Sequence, residues 1–330
     1  MNLGQIFKIH SDFYYVDFEG KICECKLREV LKKAKQSVLV GDFVEFEDGA
    51  IEKVLPRKSY IPRPSVSNVD QIVIVSAVKE PELSFSQLNR YISFAKYHKI
   101  YTVLCFNKND LSSDDKMIEK IFSIYEPLGF DILFTSAVEG YGIDEFKEIL
   151  KGKTSVLAGS SGVGKSSLIN AVSGLNLRTK DVSEKTQRGT HTTRHSEIIK
   201  LFDDNTRIVD TPGFSNLKFD FIMPNEVDML FDEIYQHKKD CKYADCLHIN
   251  ETGCSVKQNL GKIDSTRYQS YIEFVEEAKM FKEKVKYNGR KVETAHKLKN
   301  DSIAVKISSK KRENSRNTMK QNIYKDMNNE

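Results

Sequence analysis

The sequence predicts a multidomain α/β chain: a small antiparallel β-barrel, then a doubly wound, mainly parallel sheet, then a short C-terminal metal-binding module. Three observations carry this. Short alternating runs broken by turn residues fill the first 65 positions, buried-strand patterns alternating with amphipathic helices follow from Gln71, and three cysteines gather around a histidine near position 250. At 330 residues the chain exceeds the usual single-domain size of about 100 to 200, so two or three domains are expected.

The barrel reading rests on Tyr14-Tyr15-Val16-Asp17-Phe18, Lys21-Ile22-Cys23-Glu24-Cys25 and Asp42-Phe43-Val44-Glu45-Phe46, separated by turn signals at Glu19-Gly20 and Asp48-Gly49. A segment with three prolines, Pro56 to Pro64, breaks the pattern and reads as a linker. Strands then follow at Gln71 to Val78, Tyr101 to Phe106, Asp131 to Thr135 and Thr154 to Ala158, with helices near Ser84 to His98, Asp114 to Pro127 and Ile143 to Leu150. Ligands bind on the loops after such strands.

Composition excludes some classes. Apolar residues make up 39% and charged residues 30%, and no apolar run approaches the roughly 18 residues of a membrane span. The opening Met1 to Lys8 lacks the continuous apolar stretch of a signal peptide, so a cytoplasmic location and no membrane partner are expected. The formal net charge is +4, yet Lys279 to Glu330 holds 15 Lys and Arg against 6 Asp and Glu, a basic end suited to a polyanion or to solvent. Six cysteines without a secretory signal argue against a disulfide framework.

Gly159-Ser160-Ser161-Gly162-Val163-Gly164-Lys165-Ser166 fits a phosphate-binding loop, after the apolar strand Ser155-Val156-Leu157-Ala158 and before the helical run from Ser167. Its glycines let backbone N–H groups turn toward phosphates, aided by the helix dipole, and Ser167 closes the nucleotide-binding stretch. Lys165 is expected to reach the β- and γ-phosphates and Ser166 to ligate Mg²⁺. Asp210-Thr211-Pro212-Gly213 ends the strand Arg207-Ile208-Val209, 44 residues beyond Ser166. Asp210 is expected to hold Mg²⁺ through water, with the Gly213 N–H facing the γ-phosphate. Between them, Thr186 to Arg194 suits a loop that orders around metal and phosphate, and either Thr192 or Thr193 completes the metal shell.

Asn107-Lys108-Asn109-Asp110 follows the strand Val103-Leu104-Cys105-Phe106. The Asp110 carboxylate can accept from guanine N1–H and the exocyclic amine, whereas adenine offers an acceptor at N1, so GTP is expected over ATP. Thr135-Ser136-Ala137 is expected to support the base, through Ser136 and Ala137. This base-reading motif precedes the phosphate loop, the reverse of ordinary GTPase order, which implies circular permutation. Phe214 stands where many GTPases carry a glutamine that orients the attacking water. His191 is the nearest polar replacement.

Cys241, Cys246, His248 and Cys254 form C-x₄-C-x-H-x₅-C, and three thiolates with one imidazole suit one tetrahedral, structural Zn²⁺. Taken together, Asn107 to Asp110, Gly159 to Ser166, Thr190-His191-Thr192-Thr193, Asp210 to Phe214 and the cysteine–histidine set resemble the RsgA (YjeQ/YloQ) family over about residues 1 to 295. The resemblance implies an OB-type barrel over 1–65, a circularly permuted P-loop GTPase over 66–222 and a helical zinc-binding domain over 223–298. The basic remainder, 299–330, has no counterpart and is expected to be disordered. It further implies a monomeric GTP hydrolase, stimulated by the small (30S) ribosomal subunit, that contacts 16S rRNA through barrel and zinc domain at a late maturation step. One departure is local: the family's usual Gly-Arg-His-Thr-Thr-Thr reads Gly189-Thr190-His191-Thr192-Thr193-Arg194. Phe214 leaves a competing reading, a non-enzymatic GTP-gated RNA-binding module. A tRNA-modifying enzyme regulated by GTP lacks a visible second active site.

Overall fold

The computed structural model describes residues 1–34, 36–111, 115–174, 196–210, 217, 219, 221–291, 296–299 and 302–305. Its N-terminal part runs β1 (Asn2–His10), β2 (Phe13–Phe18), β3 (Lys21–Leu27), α1 (Glu29–Lys33), β4 (Phe43–Glu47) and β5 (Ala50–Val54). The strands pair in the order β1-β2-β3-β5-β4, and β4 returns to β1, closing a five-stranded barrel. Only β3 and β5 run parallel within it. Ile6, Val16, Cys25, Val44, Phe46 and Ile51 fill its interior, the inward half of an alternating pattern. β1 and β5 go beyond the three runs the sequence offered. The reason for β1 is local: it buries Gln5, whose amide donates to the Gly41 carbonyl at 3.1 Å, so a polar residue serves as a core residue.

The three-proline segment is folded and does not behave as a linker. Its strand β6 (Tyr60–Pro62) pairs with β7 (Ser65–Ser67) just beyond it, and Ile61 and Val66 are fully buried in the same core as Ile72 and Ile74. The buried Asp42 carboxylate fastens this segment to the barrel, accepting from Arg57 Nε (2.7 Å), Ser67 Oγ (2.6 Å) and Leu39 N (2.8 Å). Three donors on one desolvated carboxylate remove the penalty of burying it.

There follow β8 (Gln71–Ala77), α2 (Phe85–Tyr97), β9 (Tyr101–Asn107), α3 (Asp115–Tyr125), β10 (Asp131–Phe134), α4 (Ile143–Leu150), β11 (Thr154–Ala158), α5 (Lys165–Ser173), β12 (Glu197–Lys200) and β13 (Arg207–Asp210). They order as β10-β9-β8-β11-β13-β12, parallel except for β12. Successive residues of each strand face opposite sides. Ile72, Ile74, Leu104 and Phe106 meet α2 and α3 on one face; Val73, Val75, Val103 and Cys105 meet α4 and α5 on the other. The expected doubly wound arrangement is therefore present. β12 also pairs with β1 at Lys8 and Glu197, so sheet and barrel are continuous.

The C-terminal part is helical: a 3₁₀ turn Pro224–Leu230, α6 (Asp232–Tyr235), α7 (Ser255–Gln258) and α8 (Ser265–Lys291). Phe219, Val227, Phe231, Ile234, Val256, Tyr271 and Phe274 form its core. It docks on α2 through buried polar groups. Asn89 Oδ1 accepts from Tyr125 Oη (2.8 Å) and Arg267 Nη1 (3.0 Å), its amide donates to Ser270 Oγ (2.9 Å), and Arg267 Nε donates to Glu233 Oε1 (2.7 Å). Beyond α8, β14 (His296–Lys299) pairs with β15 (Ser302–Val305). Of the tail expected to be disordered, 299–330, the strand β15 is described, while 300, 301 and 306–330 lie outside the described residues. Among the described residues no helix is long and apolar enough to cross a membrane.

Candidate functional site

The carboxyl ends of β9, β10 and β11 bring three loops together at one edge of the parallel sheet, the crevice where doubly wound folds bind ligands. The strand β11 is buried along its whole length and delivers the chain into Gly159. Two glycines are required there by contact. A Cβ on Gly159 would stand 2.1 Å from the Val75 carbonyl oxygen, and one on Gly164 would stand 2.2 Å from Asn107 Nδ2. Gly164 takes φ +95° as the residue preceding α5, with no side chain capping the helix, which leaves the first N–H groups of α5 open to an anion. Lys165 Nζ donates to the carbonyls of Gly159 and Ser160, both at 2.8 Å. Burial lowers its pKa from the ordinary lysine value, because an ammonium in this loop has given up water. Ser166 and Ser167 lie half-buried in the first turn of α5.

Asn107 joins these loops. Its side chain is buried at the end of β9, Nδ2 donating to Val163 O (2.9 Å) and Oδ1 accepting from Thr135 Oγ1 (3.1 Å) and Ala137 N (3.3 Å). One amide therefore fixes the phosphate loop against the 135–137 loop. Lys108 has φ +61° and its ammonium donates to the Glu80 carbonyl. Asp110 stands exposed in the short turn Asn109–Leu111, free to meet an incoming base. Buried Ser136 pairs with Tyr141, its N–H donating to Tyr141 O at 2.9 Å, which sets the loop's curvature. The structure thus assembles Asn107, Lys108, Asp110, Ser136, Ala137 and Gly159 to Ser167 in one place.

Asp210 ends β13 directly beside β11, its backbone placed by the pairing with Glu197 on β12. His191, Thr192, Thr193 and Gly213 lie outside the described residues, and so does Phe214.

The second candidate centre lies in the helical part. Cys241, Cys246, His248 and Cys254 bring one ligand atom each to within 4.8 Å of one another. His248 Nδ1 is 3.5 Å from both Cys241 Sγ and Cys254 Sγ, and those two sulfurs are 4.0 Å apart. Burial and the neighbouring thiols push the Cys246 thiol up to about 12. The protons of such a cluster are displaced by a thiophilic dication, and a cysteine-rich donor set of this kind fits Zn²⁺. The loop that carries the histidine wraps around Glu251, whose carboxylate accepts from the N–H groups of Leu247 (2.9 Å), Ile249 (3.0 Å) and Asn250 (3.0 Å). Tyr268 and Tyr271 hydroxyls hold the carbonyls of His248 and Leu247, at 2.7 and 2.8 Å.

Sequence reasoning missed Glu251 and Asp228, which contacts the far side of His248 at 3.4 Å. Neither has a spacing rule. Glu251 stands in the middle of the cysteine motif's variable stretch, and Asp228 is 13 residues ahead of Cys241 on a separate turn.

Comparison with known proteins bears on both centres. The RsgA GTPase family model matches residues 54–220, and the RsgA N-terminal domain model matches 3–53. A small ribosomal subunit biogenesis GTPase RsgA from Alkaliphilus metalliredigens is 39% identical over 289 residues, covering 84% of this chain and 98% of that protein. Its namesake from Thermotoga petrophila is 42% identical over 281 residues, covering 82% and 94%. Among solved structures, YjeQ from Thermotoga maritima superposes with a TM-score of 0.74 at 38% identity, covering 84% of this chain and 98% of that one. YloQ, described as a circularly permuted GTPase, gives 0.70 at 33%, covering 84% and 95%.

Proposed function

The chain belongs to the RsgA family of GTPases, and from that premise we propose that it acts late in maturation of the small ribosomal subunit, which stimulates its hydrolysis of GTP. The barrel and the helical zinc module contact the subunit's 16S rRNA. As a member of this family the chain hydrolyses GTP to GDP and phosphate, which removes the non-enzymatic reading left open by Phe214.

The observation that carries the assignment of the nucleotide site is the Asn107 side chain, bonded at once to the phosphate loop and to the 135–137 loop. A base reader tied to the phosphate cradle couples recognition of guanine to the position of the phosphates. Asp110 accepts from the guanine N1–H and amine, Ser136 and Ala137 support the base, and the backbone of Gly159 to Ser167 cradles the phosphates. On binding, the Lys165 ammonium exchanges two loop carbonyls for phosphate oxygens, which gives a desolvated cation a counter-charge. Ser166, Asp210 through water, and either Thr192 or Thr193 would hold the Mg²⁺ that accompanies GTP, which would neutralise charge on the phosphates. The Gly213 N–H meets the γ-phosphate, and His191 orients the attacking water in place of the glutamine that Phe214 replaces. Cys241, Cys246, His248 and Cys254 hold one structural Zn²⁺.

Phosphate release from GTP, measured with and without purified small subunits, tests the proposal. Strong stimulation by small subunits and none by large subunits is the expected result. Equal rates in all three conditions would refute the ribosomal assignment while leaving the hydrolase intact. Binding to the subunit should weaken steeply with salt, as contacts to RNA phosphates do.

A further inference from the structure

Beside the cysteine cluster lies a charge pair that the nucleotide chemistry leaves unused. Asp228 sits in the 3₁₀ turn Pro224–Leu230 with its side chain 2% exposed, and its Oδ2 is 3.4 Å from Nε2 of the fully buried His248. The same oxygen is 2.6 Å from Lys238 Nζ. Lys238 is itself held, donating to Asn225 O at 3.3 Å and lying over the Tyr235 ring. The ring of His248 is therefore addressed from both sides, by thiols at Nδ1 and by a carboxylate at Nε2.

An imidazole can give a lone pair to a metal from one nitrogen only while the other carries the proton. With Nδ1 pointing at Cys241 and Cys254, the proton must reside on Nε2. The Asp228 carboxylate accepts from that position and from no other on the ring. An ionised carboxylate this deeply buried needs a counter-charge, which Lys238 supplies, so the pair adds direction to the ring without adding net charge. We infer that Asp228, compensated by Lys238, is the positioning residue that fixes the tautomer and angle of His248 and thereby sets how tightly the module holds its metal. Neighbours of this kind typically change metal affinity by about ten- to a hundredfold.

The inference rests on the zinc reading given above, and the test separates the two. Zinc affinity is measured by chelator competition on the full chain for wild type, Asp228→Asn, Asp228→Ala and Cys254→Ser. Long-range ¹H–¹⁵N spectra of the zinc-loaded protein report which ring nitrogen of His248 carries the proton. The expected result is protonated Nε2 in wild type and zinc held at least about tenfold more weakly by Asp228→Ala. Asp228→Asn, which retains an acceptor without charge, should fall between wild type and Asp228→Ala. Should Asp228→Ala fail to fold, Asp228→Asn and the tautomer decide. Wild-type affinity in Asp228→Asn together with Asp228→Ala, or a proton on Nδ1, overturns the role of Asp228 while zinc binding stands. A wild-type protein that binds zinc no better than Cys254→Ser removes the zinc site and the inference with it.

Discussion

Replacing Gly164 by alanine tests the nucleotide site at its tightest point. The backbone there has φ +95°, and the added methyl would stand 2.2 Å from Asn107 Nδ2, a separation that cannot persist. Holding an alanine in a left-handed conformation costs about 1 to 2 kcal/mol. Displacing Asn107 breaks its 2.9 Å bond to Val163 O, and a buried donor left without a partner costs about 1 to 3 kcal/mol more. In the ligand-free protein the loop escapes both penalties by relaxing, but the bound state requires the native loop, so most of the cost falls on binding. The affinity for GDP or a non-hydrolysable GTP analogue should therefore drop by about two to three orders of magnitude at 1.4 kcal/mol per decade. Titration with a fluorescent guanine nucleotide measures it. A double-mutant cycle with Asn107→Ala identifies the cause, because deleting the amide removes the collision. On that background Gly164→Ala should show only the backbone strain, a coupling of about 1 to 3 kcal/mol. Affinity of Gly164→Ala within threefold of wild type, or strict additivity in the cycle, would refute the argument from contact.

Three further outcomes are expected. Asp110→Asn presents an N–H where the carboxylate accepted, so guanine should bind at least about a hundredfold more weakly while xanthine, which offers a carbonyl in place of the amine, gains; competition among GTP, XTP and ATP measures this. His191→Ala should leave GTP affinity unchanged and lower turnover at least about tenfold, the low end of what one proton- or water-directing group supplies, and unchanged turnover removes it from the mechanism. Arg267→Met should cost about 3 to 5 kcal/mol in denaturant melts, since it strands the Glu233 carboxylate in an interface where the two side chains are only 3% and 9% exposed. A loss below 1 kcal/mol there would mean that Glu233 finds another partner.

The buried parallel strands were legible because both of their faces are covered, so β8 carries the apolar run Ile72 to Val75 and β11 the run Val156 to Ala158, and the helices between them kept one apolar side. The site motifs were legible for a related reason: a phosphate cradle and a base reader are built from contiguous residues at strand ends. What stayed hidden depends on distant partners. Gln5 reads as a surface residue until Gly41 accepts its amide, and the proline-rich segment reads as a linker until Ile61 and Val66 are seen in the core. The cysteine–histidine cluster announces itself by spacing, whereas Asp228 is identified only by where its turn folds. The buried network of Asn89, Arg267 and Glu233 joins residues up to 178 positions apart, and no local pattern encodes it.

The junction of β1 with β12 bears on the borders that the sheet exposes. A strand at the border of a sheet exposes unpaired N–H and C=O groups, which invite another chain to add on. Here the β12 border is met by β1 at Lys8 and Glu197, and beyond that point β1 to β5 curl into a closed barrel. Among the described residues, β10 stands at the other end of that sheet and pairs on one side alone, with β9. It is four residues long and opens on Asp131, too short and too charged at its start to template a partner. Fusing a barrel to the far end of the sheet thus leaves at this end a border of four residues, beside the 135–137 loop.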